Sequence, residues 1–476
     1  MRVRTRRHGM VGTALAVALS LGSVAAVSGF TPVGAGTGDG VGAARAVPGD
    51  DVRLNEIQVV GSHNSYKVLP SQAEQDLIRT VIGAGADLMQ YQHAPLPTQF
   101  GSQKVRQIEL DVWVDEAGGR FRQPVLRTAV GLGPYEPEIM DQPGIKTFHI
   151  QDVDYGSTCP SFVRCLQQVK QWSDANPYHV PIAILVELKD SPLVVGSIDF
   201  TDPEPWTAAA MDAMDDEIRS VFPEDRMITP DDIRGGHDTL RDAVVTDGWP
   251  TLGESRGQVM FMMDNGGGYR SDYLAGHPSL IDRVLFTNAD PGDADAAFIK
   301  RNDPSDPSIP GLVADGFVVR TRSDGDTVEA RANDTGPRDA ALASGAQWVS
   351  TDYPVPGMAV GFTSPFYVEI PGGTVARCNP VNAPPSCQDD QLERTGMPPS
   401  RPEVPTPSTP SSTTPSTVPG GPTSVPTTAT TTTTTRPGTS VTVPGTSGRP
   451  GSSTGGTRVP SAPPASPRSG VPGYTG

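Results

Sequence analysis

Basic residues are scarce in this 476-residue chain: 37 Lys and Arg stand against 54 Asp and Glu, a formal charge of −17. So acidic a chain lacks the positive field that holds nucleic acid or fastens a polybasic patch to a membrane, and neither is expected. Aromatic residues make up only 6% and hydrophobic residues 36%. One continuous core through the whole length cannot be built from so little apolar material. Past the N-terminal region no apolar run approaches the roughly 20 residues that cross a bilayer, so no transmembrane anchor is expected. Cysteine is limited to four residues, whose spacing is not CxxC and which no histidine cluster accompanies. A zinc site is therefore the weaker reading of them.

Glycine and proline, by contrast, are abundant, at 52 and 49 residues. Many of them lie at the C-terminal end, where residues 395–476 form a Pro/Thr/Ser/Gly tract that includes a threonine run at 430–435. With almost no apolar residues to offset the cost of ordering its backbone, this tract is expected to stay extended, as a stalk, a spacer or a solvated tail. The other end reads differently. Arg2, Arg4, Arg6 and Arg7 precede an apolar run at 10–30, and Ala44-Arg45-Ala46 then offers a small-x-small cleavage site. This is the layout of a secretory signal peptide over 1–46, with an earlier cut near Ala26 as the alternative. Cleavage after Ala46 removes five Arg and one Asp and leaves a charge of −21. The protein is expected to be secreted or associated with the cell envelope, and monomeric. Export favours oxidised thiols, so two local disulfides are expected, Cys159 with Cys165 and Cys378 with Cys387.

The intervening residues 47–394 suit one domain. Short β-branched or apolar runs recur there at 57–60, 105–114, 147–150, 182–187, 259–263, 284–286, 317–320 and 348–350. Helical patterns fall between them at 71–82, 161–172, 206–221, 293–300 and 338–344. In the second of these Phe162, Leu166, Val169 and Trp172 recur at three- and four-residue steps and make one apolar face. Eight strands alternating with helices predict an α/β fold, a (β/α) TIM-type barrel, with a doubly wound open sheet as the alternative. In such a barrel the C-terminal strand ends build the active site. The first strand runs into Gly61-Ser62-His63-Asn64-Ser65, and the second carries Glu109 and Asp111. The third ends at His149, the fourth at Glu187 and Lys189, the seventh at Arg320, and the eighth runs into Asp352.

Glu109 and Asp111, two apart on a strand, leave the same face of the sheet. Paired carboxylates resist joint ionisation unless a cation or a proton sits between them. With Glu187 and the Asn64 amide they form an all-oxygen set suited to a hard cation, calcium first and magnesium second. A salt-bridged strand edge is the plainer alternative. His63 and His149 can each exchange a proton near neutral pH. Lys189 can hold a phosphate oxygen or simply pair with Glu187 or Asp190. Two bases, an oxygen-bound cation and a lysine suit phosphodiester cleavage.

These residues resemble the calcium-dependent phosphoinositide-specific phospholipases C, in particular their secreted bacterial branch. The likeness rests on Gly61-Ser62-His63-Asn64-Ser65-Tyr66, Ile108-Glu109-Leu110-Asp111-Val112-Trp113, Phe148-His149-Ile150 and Leu185-Val186-Glu187-Leu188-Lys189. The resemblance implies a (β/α) barrel, sometimes distorted, and a calcium ion held by Asn64, Glu109, Asp111 and Glu187. It implies that His63 steadies the pentacoordinate phosphorus and helps to activate the inositol 2-hydroxyl, with Glu109 or Glu187 as the alternative base. His149 is then the acid for the diacylglycerol oxygen, and Lys189 a phosphate contact. Arg320 and Asp352 are expected to meet phosphate or the inositol ring, or else to form a charged rim and cap a loop. The expected partner is phospholipid at a membrane surface, engaged through the barrel rim, since the lipid-binding, EF-hand and C2 modules of the intracellular branch are missing. A glycerophosphodiester phosphodiesterase or sphingomyelinase D-like barrel is the enzymatic alternative, although those families carry Arg-Gly where this chain has Asn64-Ser65. A non-catalytic barrel binding lipid head groups or calcium is the alternative of another class.

Overall fold

Seven of the eight apolar runs become staves of a nearly closed parallel barrel in the computed structural model, which describes residues 47–393, and the segment Phe298–Lys300 supplies the eighth stave. The expected signal peptide and the Pro/Thr-rich tail lie outside the described residues. Ten strands follow one another: β1 (Ile57–Ser62), β2 (Gln107–Trp113), β3 (Lys146–Thr147), β4 (Ile182–Lys189), β5 (Val259–Met263), β6 (Leu285–Thr287), β7 (Phe298–Lys300), β8 (Val318–Arg322), β9 (Trp348–Thr351) and β10 (Ala376–Cys378). The sheet runs β6-β5-β4-β2-β1-β9-β8-β7. A parallel bridge between Asn288 and Phe298 joins its two ends. Every stave is buried, nearly all of it on both faces, as expected where helices cover the outside and side chains fill the inside.

The outer face is apolar. Ile108, Leu110 and Val112 of β2 and Ile182, Ile184 and Val186 of β4 share one cluster with Phe162, Leu166 and Val169 of the helix Phe162–Ala175. Met211, Met214 and Ile218 of the helix Ala208–Val221 complete that side of the cluster. Toward the C-terminal strand ends the inner face is polar, with Glu109, Asp111 and Arg320 fully buried. One stave contact depends on glycine: a Cβ on Gly61 would stand 1.9 Å from Gln107 Oε1, and these two residues are the register partners that join β1 to β2.

Two expected elements differ from what forms, and the differences cancel in the strand count. The run at 147–150 is no stave. Only Lys146–Thr147 is extended, and it pairs antiparallel with Val112 and Trp113 on the end of β2. His149 therefore stands in a loop above the barrel instead of at a stave end. The segment 293–300, expected to be helical, ends in the stave β7. Its alternation is too short to outweigh a helical pattern, and only pairing with β8 makes it a strand. Both disulfides form as expected, Cys159–Cys165 and Cys378–Cys387. No helix among the described residues is long and apolar enough to cross a membrane.

Candidate active site

β2 and β4 lie side by side with Asp111 opposite Glu187 and Trp113 opposite Lys189, so two carboxylates from adjacent strands share one level of the barrel. Glu109, one inward-facing position below, completes a group whose ligand oxygens all lie within 4.8 Å of one another. Two cations brace this group. Lys189 Nζ stands 2.9 Å from Glu187 Oε1 and 3.3 Å from Asp111 Oδ2, and Arg320 Nη2 stands 2.6 Å from Glu109 Oε2. The bracing is incomplete: Glu109 Oε1 and both oxygens of Asp111 are buried without accepting a hydrogen bond. The Lys189–Asp111 contact is thus an ion pair without hydrogen-bond alignment.

Burial pushes Glu109 up to about 7 against the pull of Arg320. Burial likewise drives Asp111 well above the usual carboxylate range, Lys189 opposing and Glu187 and Glu109 adding to it. Burial alone would lower Lys189, but Asp111 and Glu187 outweigh it and keep the ammonium charged. Buried carboxylate oxygens without donors are costly unless a cation meets them. The donor chemistry, oxygens only and mostly anionic, fits a hard divalent cation. Asn64 follows β1 in the left-handed region at φ 45°. Its Nδ2 donates to Tyr91 Oη at 2.7 Å and its Oδ1 accepts from Tyr66 Oη at 3.1 Å, which leaves a lone pair on Oδ1. Tyr66 ties it to the acidic group, because Asp111 and Glu187 both act on that buried phenol and, after burial, help to raise it.

Each histidine is held by a buried aspartate. His63 Nδ1 lies 2.9 Å from Asp352 Oδ1, while Nε2 faces Glu109 Oε1 at 3.7 Å. Its ring lies near-parallel to Tyr91, centroids 5.9 Å apart. Burial, then Arg322 and Arg320, hold His63 well below the ordinary imidazole value, so it rests neutral. Nδ1–H donating to Asp352 is the tautomer that satisfies this contact. On the other side of the mouth His149 Nδ1 lies 2.7 Å from Asp154 Oδ2, and Asp154 Oδ1 accepts from Lys67 Nζ, also at 2.7 Å. Burial would raise Asp154, but Lys67 and His149 outweigh it and hold it below the usual range. Lys67 Nζ stands 4.8 Å from the centre of the Tyr91 ring, which links the two histidine sites.

All the expected site residues of the first four strand ends thus meet around one mouth, His149 from a loop. Arg320 and Asp352, expected at phosphate, inositol or a rim, are fully buried and engaged with protein: Arg320 with Glu109, Asn302 and Ser350, Asp352 with His63. Burial pushes Asp352 up to about 6 against the pull of Arg322. Sequence reasoning missed Lys67, Tyr91 and Asp154. Tyr66 and Lys67 extend the His63-Asn64 motif, which was the available signal for Lys67. Nothing in the spacing marks Asp154. His93 is buried near Asp352 and pushed down to about 4 by that burial.

Among solved structures, the chain is similar to a calcium-dependent phosphoinositol-specific phospholipase C from Pseudomonas sp. (16% identity, TM-score 0.41, covering 68% of this chain and 99% of that one). It is also similar to a Ca2+-dependent phosphatidylinositol-specific phospholipase C from Streptomyces antibioticus (17% identity, TM-score 0.40, 63% and 95%). No curated protein sequence matches. Residues 52–380, well over half of the chain, match the family described as Phosphoinositide phospholipase C, Ca2+-dependent. The match spans the whole mouth from His63 to Asp352, and the chain belongs to the calcium-dependent phosphoinositide phospholipase C family of enzymes.

Proposed function

We propose that this enzyme is exported and cleaves phosphatidylinositol to diacylglycerol and a cyclic inositol phosphate, with calcium held by Asn64, Glu109, Asp111 and Glu187. The observation that carries the reading is the group of three carboxylates within 4.8 Å, with buried oxygens lacking donors, set between two histidines that buried aspartates orient. Calcium, when bound there, supplies charge that neutralises phosphoryl oxygens and acidifies a nearby inositol hydroxyl.

The chain's own groups do the rest. Asp352 holds the Nδ1–H of His63 and turns Nε2 toward Glu109. As the inositol 2-hydroxyl attacks phosphorus, its proton passes to this His63–Glu109 pair. The bond from O2 to phosphorus forms, the bond from phosphorus to the glycerol oxygen breaks, and His149 gives its proton to that departing oxygen. Asp154 keeps His149 in one tautomer, Nδ1–H inward, so the proton that leaves is the one on Nε2. Lys189, which in this structure pairs with Asp111 and Glu187, would serve the phosphate as a point charge. Acid–base positioning of this kind contributes about 10²–10⁴-fold. Phosphatidylinositol incubated with free calcium should release diacylglycerol and a cyclic inositol phosphate, and chelator should stop it. Release of phosphatidic acid, or turnover indifferent to chelator, would refute the reading.

A further inference from the structure

Tyr91 belongs to no stave. It comes from the segment between β1 and β2, yet it is 2% exposed and its side chain meets three residues just past the end of β1. Its ring lies near-parallel to that of His63, the Lys67 ammonium stands 4.8 Å from the ring centre, and its hydroxyl accepts from Asn64 Nδ2 at 2.7 Å. His93 meets the ring edge-on, with centroids 6.1 Å apart. The residues on either side of Tyr91 are tied down. Gln90 Oε1 accepts from Arg331 Nη2 at 2.6 Å, and Gln92 Oε1 accepts from Leu69 N at 3.4 Å. The His93 N–H donates to Lys67 O at 2.9 Å and closes the segment onto the end of β1. The hydroxyl of Tyr91 is therefore brought to Asn64 on a fixed frame.

The backbone of Asn64 is fixed as well. Its carbonyl accepts from Lys67 N at 2.8 Å, and the next residue is stitched to β2, with Ser65 N–H on Glu109 O at 3.0 Å and Glu109 N–H on Ser65 Oγ at 2.8 Å. What can still turn is the side-chain amide. Its two ends are alike in size and opposite in chemistry, because Oδ1 only accepts and Nδ2 only donates. Facing one way it offers an oxygen to a hard cation. Turned over, it offers N–H groups, which such a cation does not take. Oδ1 accepts from Tyr66 Oη, on the side of the acidic group, and Nδ2 has Tyr91 Oη as its one hydrogen-bond partner among the described residues. Asn64 is 1% exposed, so without that hydroxyl Nδ2 is a buried donor left unsatisfied.

Ring and hydroxyl do different things at Tyr91. The contacts with His63, Lys67 and His93 need only an aromatic ring, which phenylalanine also supplies. Apart from Asn64, the hydroxyl stands 3.5 Å from His63 Nδ1, a nitrogen that Asp352 already holds at 2.9 Å. The oxygen of Tyr91 is thus committed to the amide of Asn64.

We infer that Tyr91 is a positioning residue for the cation: by accepting from Asn64 Nδ2, its hydroxyl keeps the amide oxygen of Asn64 turned to the ion. The inference rests on the reading of Asn64 as a calcium ligand and names what orients it. Partners that hold a ligand in place, without touching the metal, commonly account for about 10–100-fold in metal affinity.

The test is calcium binding to the full chain, measured by titration calorimetry. Tyr91→Phe should weaken binding about tenfold or more. The calcium concentration for half-maximal turnover of a water-soluble inositol phosphodiester should rise by the same factor, and saturating calcium should bring kcat back to within about threefold of wild type. A double-mutant cycle separates orientation from packing. In Asn64→Asp the side chain carries oxygen at both ends and has no amide to orient, so adding Tyr91→Phe should weaken calcium binding by no more than about twofold. A role in packing alone would give the same loss in both backgrounds. Tyr91→Phe that binds calcium like wild type, an equal loss in the Asn64→Asp background, or a fall in kcat that calcium does not recover would each overturn the inference. If wild type binds no calcium, or Asn64→Ala binds it as tightly as wild type does, the ligand reading falls and the inference with it. Weakened binding in Asn64→Ala with undiminished binding in Tyr91→Phe removes the inference alone.

Discussion

At the N-terminal pole of the barrel Arg106, 2% exposed, donates to both carboxylate oxygens of Glu393 and to the carbonyls of Phe100 and Val105, and lies over the Trp172 ring. His179 beside it has both ring nitrogens engaged, with Ser173 Oγ and with Val180 O. At the mouth, by contrast, carboxylate oxygens of the same degree of burial face one another without donors. The Arg106–Glu393 pair has its hydrogen bonds made, whereas the carboxylates at the mouth repel one another in a way that a further cation or a proton relieves. Buried charge therefore means stability at one end of this barrel and function at the other, and burial alone does not say which.

The contrast can be broken by substitutions at either end. The largest effect is expected from His149→Ala, which should cut phosphatidylinositol turnover about 10²–10⁴-fold. Circular dichroism and calcium titration should remain as in wild type. Unchanged turnover would remove His149 from the chemistry. Arg106→Met at the opposite pole should do the reverse, costing about 3–5 kcal/mol in urea unfolding because Glu393 is left buried and unpaired. The kcat of the folded fraction should not move.

His179→Gln sharpens the comparison through pH. Burial, with Arg106 adding to it and the Val180 carbonyl opposing, pushes His179 down to about 4. A depressed histidine contributes stability that is present above its unfolded value near 6.5 and lost as pH falls toward 4. Wild type should therefore lose about 3 kcal/mol more than the variant over that window, measured as the difference of their unfolding free energies. Equal slopes would show that the imidazole does not titrate on unfolding.

The smallest effect on stability, and of opposite sign, belongs to Asp111→Asn. In chelator it should leave the protein as stable as wild type or up to about 1 kcal/mol more so, since it replaces a buried carboxyl whose oxygens accept no hydrogen bond, and Lys189 keeps Glu187 as partner. Calcium should then raise the melting temperature of wild type but not of the variant. A melting temperature that calcium raises equally in both would place the ion elsewhere.

Much of the mouth was legible because strand periodicity does the work: alternate residues share a face, so Glu109 with Asp111 and Glu187 with Lys189 could be placed together from spacing alone. The loops resisted such reading. His149 was expected at a stave end because Phe148-His149-Ile150 looks like strand. It stands instead in a loop whose course is set by Trp113 Nε1 donating to Phe148 O and by Asp154 holding the ring. The stave β7 was read as helix for the same reason in reverse: three residues carry too little pattern, and pairing decides. The partners of Arg320 and Asp352 were out of reach, because a charged residue at a strand end looks the same whether it meets substrate or a neighbouring stave.

The sequence by itself pointed to an acidic α/β barrel over residues 47–394 and put the carboxylates Glu109, Asp111 and Glu187 on the strands that lead to its mouth. These depend on residue type and on a local period of two, which no later packing changes. Tertiary structure alone decided which cation braces which carboxylate and that Asp352 and Asp154 orient the two imidazoles. Those are meetings of residues as many as 289 positions apart, and such distances are closed only when eight short strands curl round and the last bridge, Asn288 to Phe298, joins the sheet to itself.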